Sequence, residues 1–157
     1  MQTFENLTLK MAKNIAEAVL SYARKQDMMP LTVAILDTGG HLVTFLREDD
    51  SGIMRPDIAI GKAWGSLGMG VNTRLLRDRL ADRPAFQNAL SVASSGRFIP
   101  VPGGVLIKNQ QDKIMGAVGV SGDTSDKDEA CAIHGIRETG LIPDPAEVDP
   151  NWKISIL

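Results

Sequence analysis

An α+β domain with a small, mainly antiparallel sheet covered by helices is the fold this sequence predicts. Two pairs of short, β-branched and apolar runs are each joined by a tight polar turn, so the strands of each pair must be antiparallel neighbours. Helical periodicity fills the stretches before, between and after them, and the helices must cover the sheet. With 157 residues and 43% hydrophobic side chains, the chain is sized for one domain, expected to span 1–157. Such a chain buries roughly 69% of its unfolded surface without disulfide or metal staples.

The first element is an amphipathic helix over 8–25, with Leu7, Met11, Ile15, Val19 and Tyr22 on one stripe and Thr8 as its N-cap. Beyond Pro30, Leu31-Thr32-Val33-Ala34-Ile35-Leu36 and His41-Leu42-Val43-Thr44-Phe45-Leu46 form a hairpin around Asp37-Thr38-Gly39-Gly40, whose glycines accept a positive φ. Strict alternation puts Leu42, Thr44 and Leu46 on one face, with His41, Val43, Phe45 and Arg47 on the other. A helix begins near Pro56, with Asp57 favoured by its N-terminus. Gly61, Gly65 and Gly68 along it predict close approach by another backbone.

A short helix over 72–80 carries Arg74, Arg77 and Arg79, and Asp82 is placed to cap a further turn starting at Pro84. The passage 94–104 is rich in proline and glycine and reads as a fixed, irregular connection. Strands over 105–108 and 113–120 follow, joined by Asn109-Gln110-Gln111-Asp112. The closing helix has Ser125 as N-cap, Asp128 at N3 and Gly140 as its C-cap. The segment 142–157, with Trp152, Ile154, Ile156 and Leu157, is expected to wrap the domain.

Composition narrows the function. Seventeen Lys+Arg against 19 Asp+Glu leave a formal charge of −2, and one Tyr, four Phe and two Trp supply few stacking rings. Nucleic acid is therefore not an expected partner. The single Cys forms no internal disulfide, and the first residues lack the basic and long apolar regions of a secretion signal, so the cytoplasm is the expected compartment. No stretch approaches the roughly 18 apolar residues of a membrane span.

Three glycine corners could hold a ligand: Gly39-Gly40, Gly103-Gly104, and Gly119-Val120-Ser121-Gly122-Asp123. Strand-end glycines expose backbone N–H groups to an approaching anion, and the third corner leads into a helix N-terminus. Ordinary turn geometry explains the same residues. Lys62, in a helix otherwise rich in Ala, Gly, Ile and Trp, is either an anion-binding cation facing a pocket or a side chain reaching out to solvent. Arg97 offers a fork for a carboxylate if it points inward.

His41 and His134 are candidate iron ligands or proton carriers, with local satisfaction as the alternative for each. They lie far apart, and Cys131, three residues before His134, has no second thiol nearby. No metal-binding motif results. Asp37 and Asp123 each end a strand beside a glycine corner; they read either as general acid–base groups or as turn and cap residues.

As an ordered set, several segments resemble the family named after the glycolate-operon protein GlcG and the haem-binding protein HbpS, which also includes the C-terminal domain of PduO-type corrinoid adenosyltransferases. They contain Asp37-Thr38-Gly39-Gly40-His41, Gly61-Lys62-Ala63, Gly96-Arg97-Phe98-Ile99-Pro100-Val101-Pro102-Gly103-Gly104-Val105, Gly116-Ala117-Val118-Gly119-Val120-Ser121-Gly122 and Asp128-Glu129-Ala130-Cys131. The resemblance implies a profilin-like α/β fold, a homo-oligomer, and haem or another tetrapyrrole as ligand. On that reading the protein binds a small molecule. Gly103, Gly104, Ser121 and Gly122 shape the pocket, Lys62 and Arg97 bind propionates or another anionic group, and His41 lies near the ligand. Two alternatives stand beside it. One is a cofactor-independent catabolic lyase or isomerase for a carbonyl or carboxylate substrate, with Lys62 stabilising oxyanion charge and Asp37, Asp123 or His134 moving a proton. The other is an assembly protein that uses the glycine-rich helix and Trp64 as its interface.

Overall fold

The computed structural model describes residues 6–156. The leader reading falls largely on residues outside that range, as does Leu157. Helix α1 (Leu9–Lys25) is followed by β1 (Thr32–Asp37), β2 (Leu42–Arg47), α2 (Arg55–Met69), α3 (Thr73–Leu80) and α4 (Pro84–Ala93). Then come β3 (Gly104–Lys108), β4 (Ile114–Ser121), α5 (Ser125–Glu138) and β5 (Ile142–Asp144). The sheet is antiparallel throughout, in the order β2-β1-β4-β3-β5. Two of its pairings are the expected hairpins.

Side-chain size sorts the two faces of the sheet. Val33, Ile35, Val105, Ile107, Val118 and Val120 pack with α1 and α5 through Ile15, Val19, Ile133 and Ile136. The other face carries α2 on a floor of small residues: Gly119 pairs with Ala34 on one side and Gly104 on the other. A Cβ on Gly119 would lie 1.8 Å from the Ala59 carbonyl oxygen, and one on Gly104 would lie 2.3 Å from that of Lys62. The helix backbone therefore rests directly on the sheet. Gly61 and Gly65 of α2 in turn admit the 97–99 segment, as the glycine spacing predicted. Gly68 meets only the ring of Trp64 in its own helix.

Local chemistry sets the element ends. Thr8 Oγ1 accepts the Met11 N–H at 3.2 Å, and Asn72 Oδ1 accepts that of Leu75 at 2.9 Å. Several expectations need correction. A bulge at Ile35/Leu36 breaks the alternation of β2, so Leu42 pairs with Leu36 while Val43 and Leu46 both pack toward the α1/α5 core. Asp82 does not cap α4. Pro84 keeps Arg83 out of the helical region, making Arg83 the boundary residue. The N-cap of α5 is Thr124 rather than Ser125, because Asp128 Oδ1 reaches back to the Asp123 N–H at 3.0 Å. At the other end Thr139 is the C-cap, and Gly140 lies one residue beyond it.

The strand β5 was not expected. Its three residues include Pro143, and it is tolerated because it lies at the sheet edge against β3. Trp152 packs into the α1/α5 core. No helix among the described residues is long and apolar enough to cross a membrane.

One buried acid ties α5 to α3. Glu129, 1% exposed, accepts from Arg74 Nε at 2.8 Å and from Arg74 Nη2, while its Oε2 has no partner. Burial, opposed by Arg74, pushes its carboxyl up from 4.5 to about 7, with Asp126 adding to the rise and Arg77 opposing it. The folded state therefore holds a proton that the unfolded chain releases near pH 4.5. The group's contribution to stability falls as pH rises from about 4.5 to about 7, then levels off. Urea titrations at about pH 5 and about pH 8 will show a smaller stability loss for Glu129→Gln than for wild type.

Candidate functional site

The predicted site residues fall into separate groups. Lys62 points from α2 past the end of the sheet, where Nζ donates to the Val120 carbonyl at 2.9 Å and to Asp128 Oδ2 at 3.0 Å. The two charged side chains are 2% and 1% exposed. Burial raises the Asp128 carboxyl above its ordinary range, against the opposing pull of Lys62 and the Asp123 amide. Gly103 and Gly104 join this node: a Cβ on Gly103 would lie 2.9 Å from Lys62 Nζ. The protein's own groups occupy several of the corner donors and acceptors. Gly104 N–H donates to Thr73 Oγ1 at 2.8 Å, the Gly103 carbonyl accepts from Val120, and Ser121 Oγ accepts from Arg55 at 3.2 Å. Gly122 lies against the Pro30 carbonyl.

Asp123 touches this node only through its N–H, which donates to Asp128 Oδ1 at 3.0 Å, and His134 lies apart from it. The Asp123 carboxylate accepts from Met29 N at 3.0 Å, Thr124 N at 2.8 Å and Lys127 Nζ at 3.1 Å, tying the chain before β1 to the start of α5. Burial raises its pKa, but those donors outweigh it and the net shift is downward. His134, on α5, stacks on Tyr22 with centroids 4.0 Å apart, in the helical layer opposite α2. Burial and Arg137 lower its pKa.

A third group gathers around Trp64. The Arg97 guanidinium lies 4.3 Å from the centre of the indole, and its Nε donates to the Ser94 carbonyl at 3.0 Å. Two clefts share the Trp64 wall. One, about 160 Å³, is lined by Gly68, Met69, Leu90, Ala93 and Phe98; the other, about 130 Å³, by Thr38, Gly39, Gly40, Leu67 and Gly68. Gly40, at φ +78°, brings the β1–β2 turn so close that a Cβ there would lie 3.1 Å from the indole.

Asp37 and His41 belong to that turn. Asp37 Oδ1 accepts the N–H groups of Gly39 and His41, both at 2.9 Å, and lies 3.2 Å from His41 Nδ1. Burial raises the Asp37 pKa, but the two amides and the imidazole outweigh it and lower it overall. The structure thus brings Gly40 and Arg97 to Trp64, leaves Asp37 and His41 paired with each other in the β1–β2 turn, and brings Lys62 to Gly103 and Gly104 deeper in the fold.

Sequence reasoning treated Trp64 only as an interface residue and did not pair Lys62 with Asp128. A lysine among small apolar residues requires a buried counter-charge. Asp128-Glu129, directly before Ala130-Cys131-Ala132-Ile133, was the available signal. No local spacing signals that a tryptophan forms the wall of two clefts.

Comparison with known proteins agrees with the topology. A family model described as haem degrading protein HbpS-like matches residues 7–137. An "uncharacterized 15.0 kDa protein" from the dhaT-dhaS intergenic region of Citrobacter freundii is 30% identical over 132 residues, covering 83% of this chain and 90% of that protein. The crystal structure of Klebsiella pneumoniae ORFY superposes with a TM-score of 0.78 at 26% identity, covering 89% of this chain and 94% of its own. A double mutant of Streptomyces reticuli HbpS gives 0.73 at 26%, with coverage of 88% and 90%. PduOC, solved as a haem complex, gives 0.78 at 22%, with coverage of 87% and 96%, and supports the fold alone. The five-stranded antiparallel sheet, its helical layers and the matched segment together place this chain in the HbpS-like family.

Proposed function

We propose that this protein binds a flat, largely apolar ligand with an acidic edge, haem or a related tetrapyrrole, in the clefts beside Trp64. The observation that carries this reading is the indole shared by two clefts, with a guanidinium over its ring. An indole offers a face for a conjugated macrocycle, Met69, Leu90 and Phe98 extend the apolar surface, and Arg97 receives a carboxylate. The family description supports the choice of haem.

The side chains beside the clefts offer the group an aromatic wall, apolar neighbours and a cation for propionates. Each cleft is smaller than the roughly 300–1,000 Å³ of enclosing pockets, so a tetrapyrrole lies partly outside them. Bound haem supplies a redox-active iron. The protein's residues stack against the ring, hold its carboxylates and restrict water on one side. Lys62, Gly103, Gly104, Ser121 and Gly122 enter this reading as the frame that seats α2, and with it Trp64.

Haem titration tests the proposal. Trp152→Phe leaves Trp64 as the sole tryptophan, and haem will quench its fluorescence with one-to-one stoichiometry alongside a shifted Soret band. Trp64→Ala will weaken haem binding by about tenfold or more through loss of stacking and apolar contact. Arg97→Ala will weaken haem by about tenfold and leave the dimethyl ester of haem nearly unaffected, because the ester lacks the charged partner. Absence of both quenching and a Soret change would overturn the reading.

A further inference from the structure

We infer that the outward face of α4 is an interface for a second copy of this chain, with two α4 helices crossing antiparallel on a two-fold axis at Ala89. The observation is a helix turned inside out. At about 100° per residue, Ala85, Phe86, Ala89, Val92 and Ala93 fall within one sector of about 120°. That sector points to solvent: all five residues are exposed, Val92 at 81%. The half-buried positions, Gln87, Leu90 and Ser91, lie on the other side of the helix. Ser94, just beyond, is buried, its Oγ donating to the Ser91 carbonyl at 3.0 Å and accepting the Phe98 N–H at 3.1 Å. An amphipathic helix ordinarily turns its apolar sector inward. Packing within this chain therefore does not account for the pattern.

The face is complementary to itself. A two-fold axis at Ala89 sets Phe86 against Val92 of the partner subunit and Ala85 against the partner's Ala93, so large side chains meet at the flanks while alanines let the backbones approach. No residue of α4 is charged, so like charges do not meet along the contact. Arg83, whose guanidinium lies 4.4 Å from the centre of the Phe86 ring, is carried to the C-terminal, negative end of the partner's helix. Alanines add little apolar area for a bilayer to cover, which favours a second helix over lipid. Ala93 also lines the larger cleft beside Trp64, so the partner borders that cleft, but the inference does not depend on what the cleft holds.

Sedimentation equilibrium of the full chain from about 1 μM to about 1 mM is expected to show a dimer that dissociates on dilution, since so short a contact is smaller than a permanent interface. Phe86→Glu or Val92→Lys alone is expected to raise the dissociation constant by about tenfold or more, because each buries a charge in an apolar contact. Combined in one chain, the two set opposite charges against each other across the axis and are expected to recover most of that loss. Ala89→Cys, with Cα atoms about 5 Å apart at the axis, is expected to form an intermolecular disulfide on air oxidation, whereas Asn88→Cys, turned away from the axis, is not. The native Cys131 is buried. Should a charged variant fail to fold, the cysteine pair decides. A wild type that stays monomeric throughout the range would overturn the inference. So would a dimer indifferent to both single substitutions, a double variant no stronger than the single ones, or equal cross-linking at positions 88 and 89. Sedimentation of a monomeric wild type with phosphatidylserine vesicles would overturn it in favour of a lipid surface.

Discussion

Replacing Gly119 with alanine will unfold the protein or cost more than about 3 kcal/mol, the upper end for overpacking a core. The added methyl would lie 1.8 Å from the Ala59 carbonyl oxygen and 3.0 Å from Ala63 N, all backbone atoms of α2, so no side-chain rotation relieves it. The helix must lift from the sheet, and the Lys62–Asp128 contact and the position of Trp64 move with it. Gly68→Ala is the control: its nearest neighbour would be the Trp64 ring at 3.6 Å. A gain of about 0.5–1 kcal/mol is expected there from helix propensity. Urea unfolding of the two variants checks both signs. Equal stability for wild type and Gly119→Ala would mean that α2 does not sit on the sheet as described.

Lys62→Ala will be destabilised by about 3–5 kcal/mol, a fall of roughly 6–20 °C in Tm, because it leaves Asp128 buried without its counter-charge. The Val120 carbonyl loses its Lys62 donor as well. The sign of the pH dependence follows from the carboxylate. Burial already raises the Asp128 pKa above that of the unfolded chain, and removing Lys62 takes away the charge that opposes the rise. The penalty will therefore shrink as pH falls and Asp128 is buried neutral, and it will be largest near neutral pH. Lys62→Met combined with Asp128→Asn removes both charges and keeps an acceptor for the Asp123 N–H. The double variant will recover more than half of the loss, since a neutral pair of similar volume avoids the desolvation cost. Thermal unfolding at two pH values, completed as a double-mutant cycle, measures both effects.

Features that depend on local periodicity and turn chemistry were legible in the sequence. The stripe of α1, the capping by Thr8, the two hairpins and the ordered blocks that mark the family arise from residues within a few positions of one another. The β2 bulge, the strand β5 and the first residue of α5 were missed. Each depends on a competing partner: Leu36 opposite Leu42, β3 beside Ile142–Asp144, and Asp128 reaching back to Asp123. Lys62 stood out as an anomaly in its helix, and its chemistry remained open because a carboxylate 66 positions away completes it.

The amino-acid order alone determined the kinds of elements and the positions of the hairpins. Only the tertiary structure decided that Lys62 is paired with Asp128 within the fold, while Trp64 walls two open clefts with Arg97 over its ring. The reason is geometric. Glycines on β3 and β4 let α2 descend onto the sheet, and that descent determines which of its side chains are buried and which border the clefts.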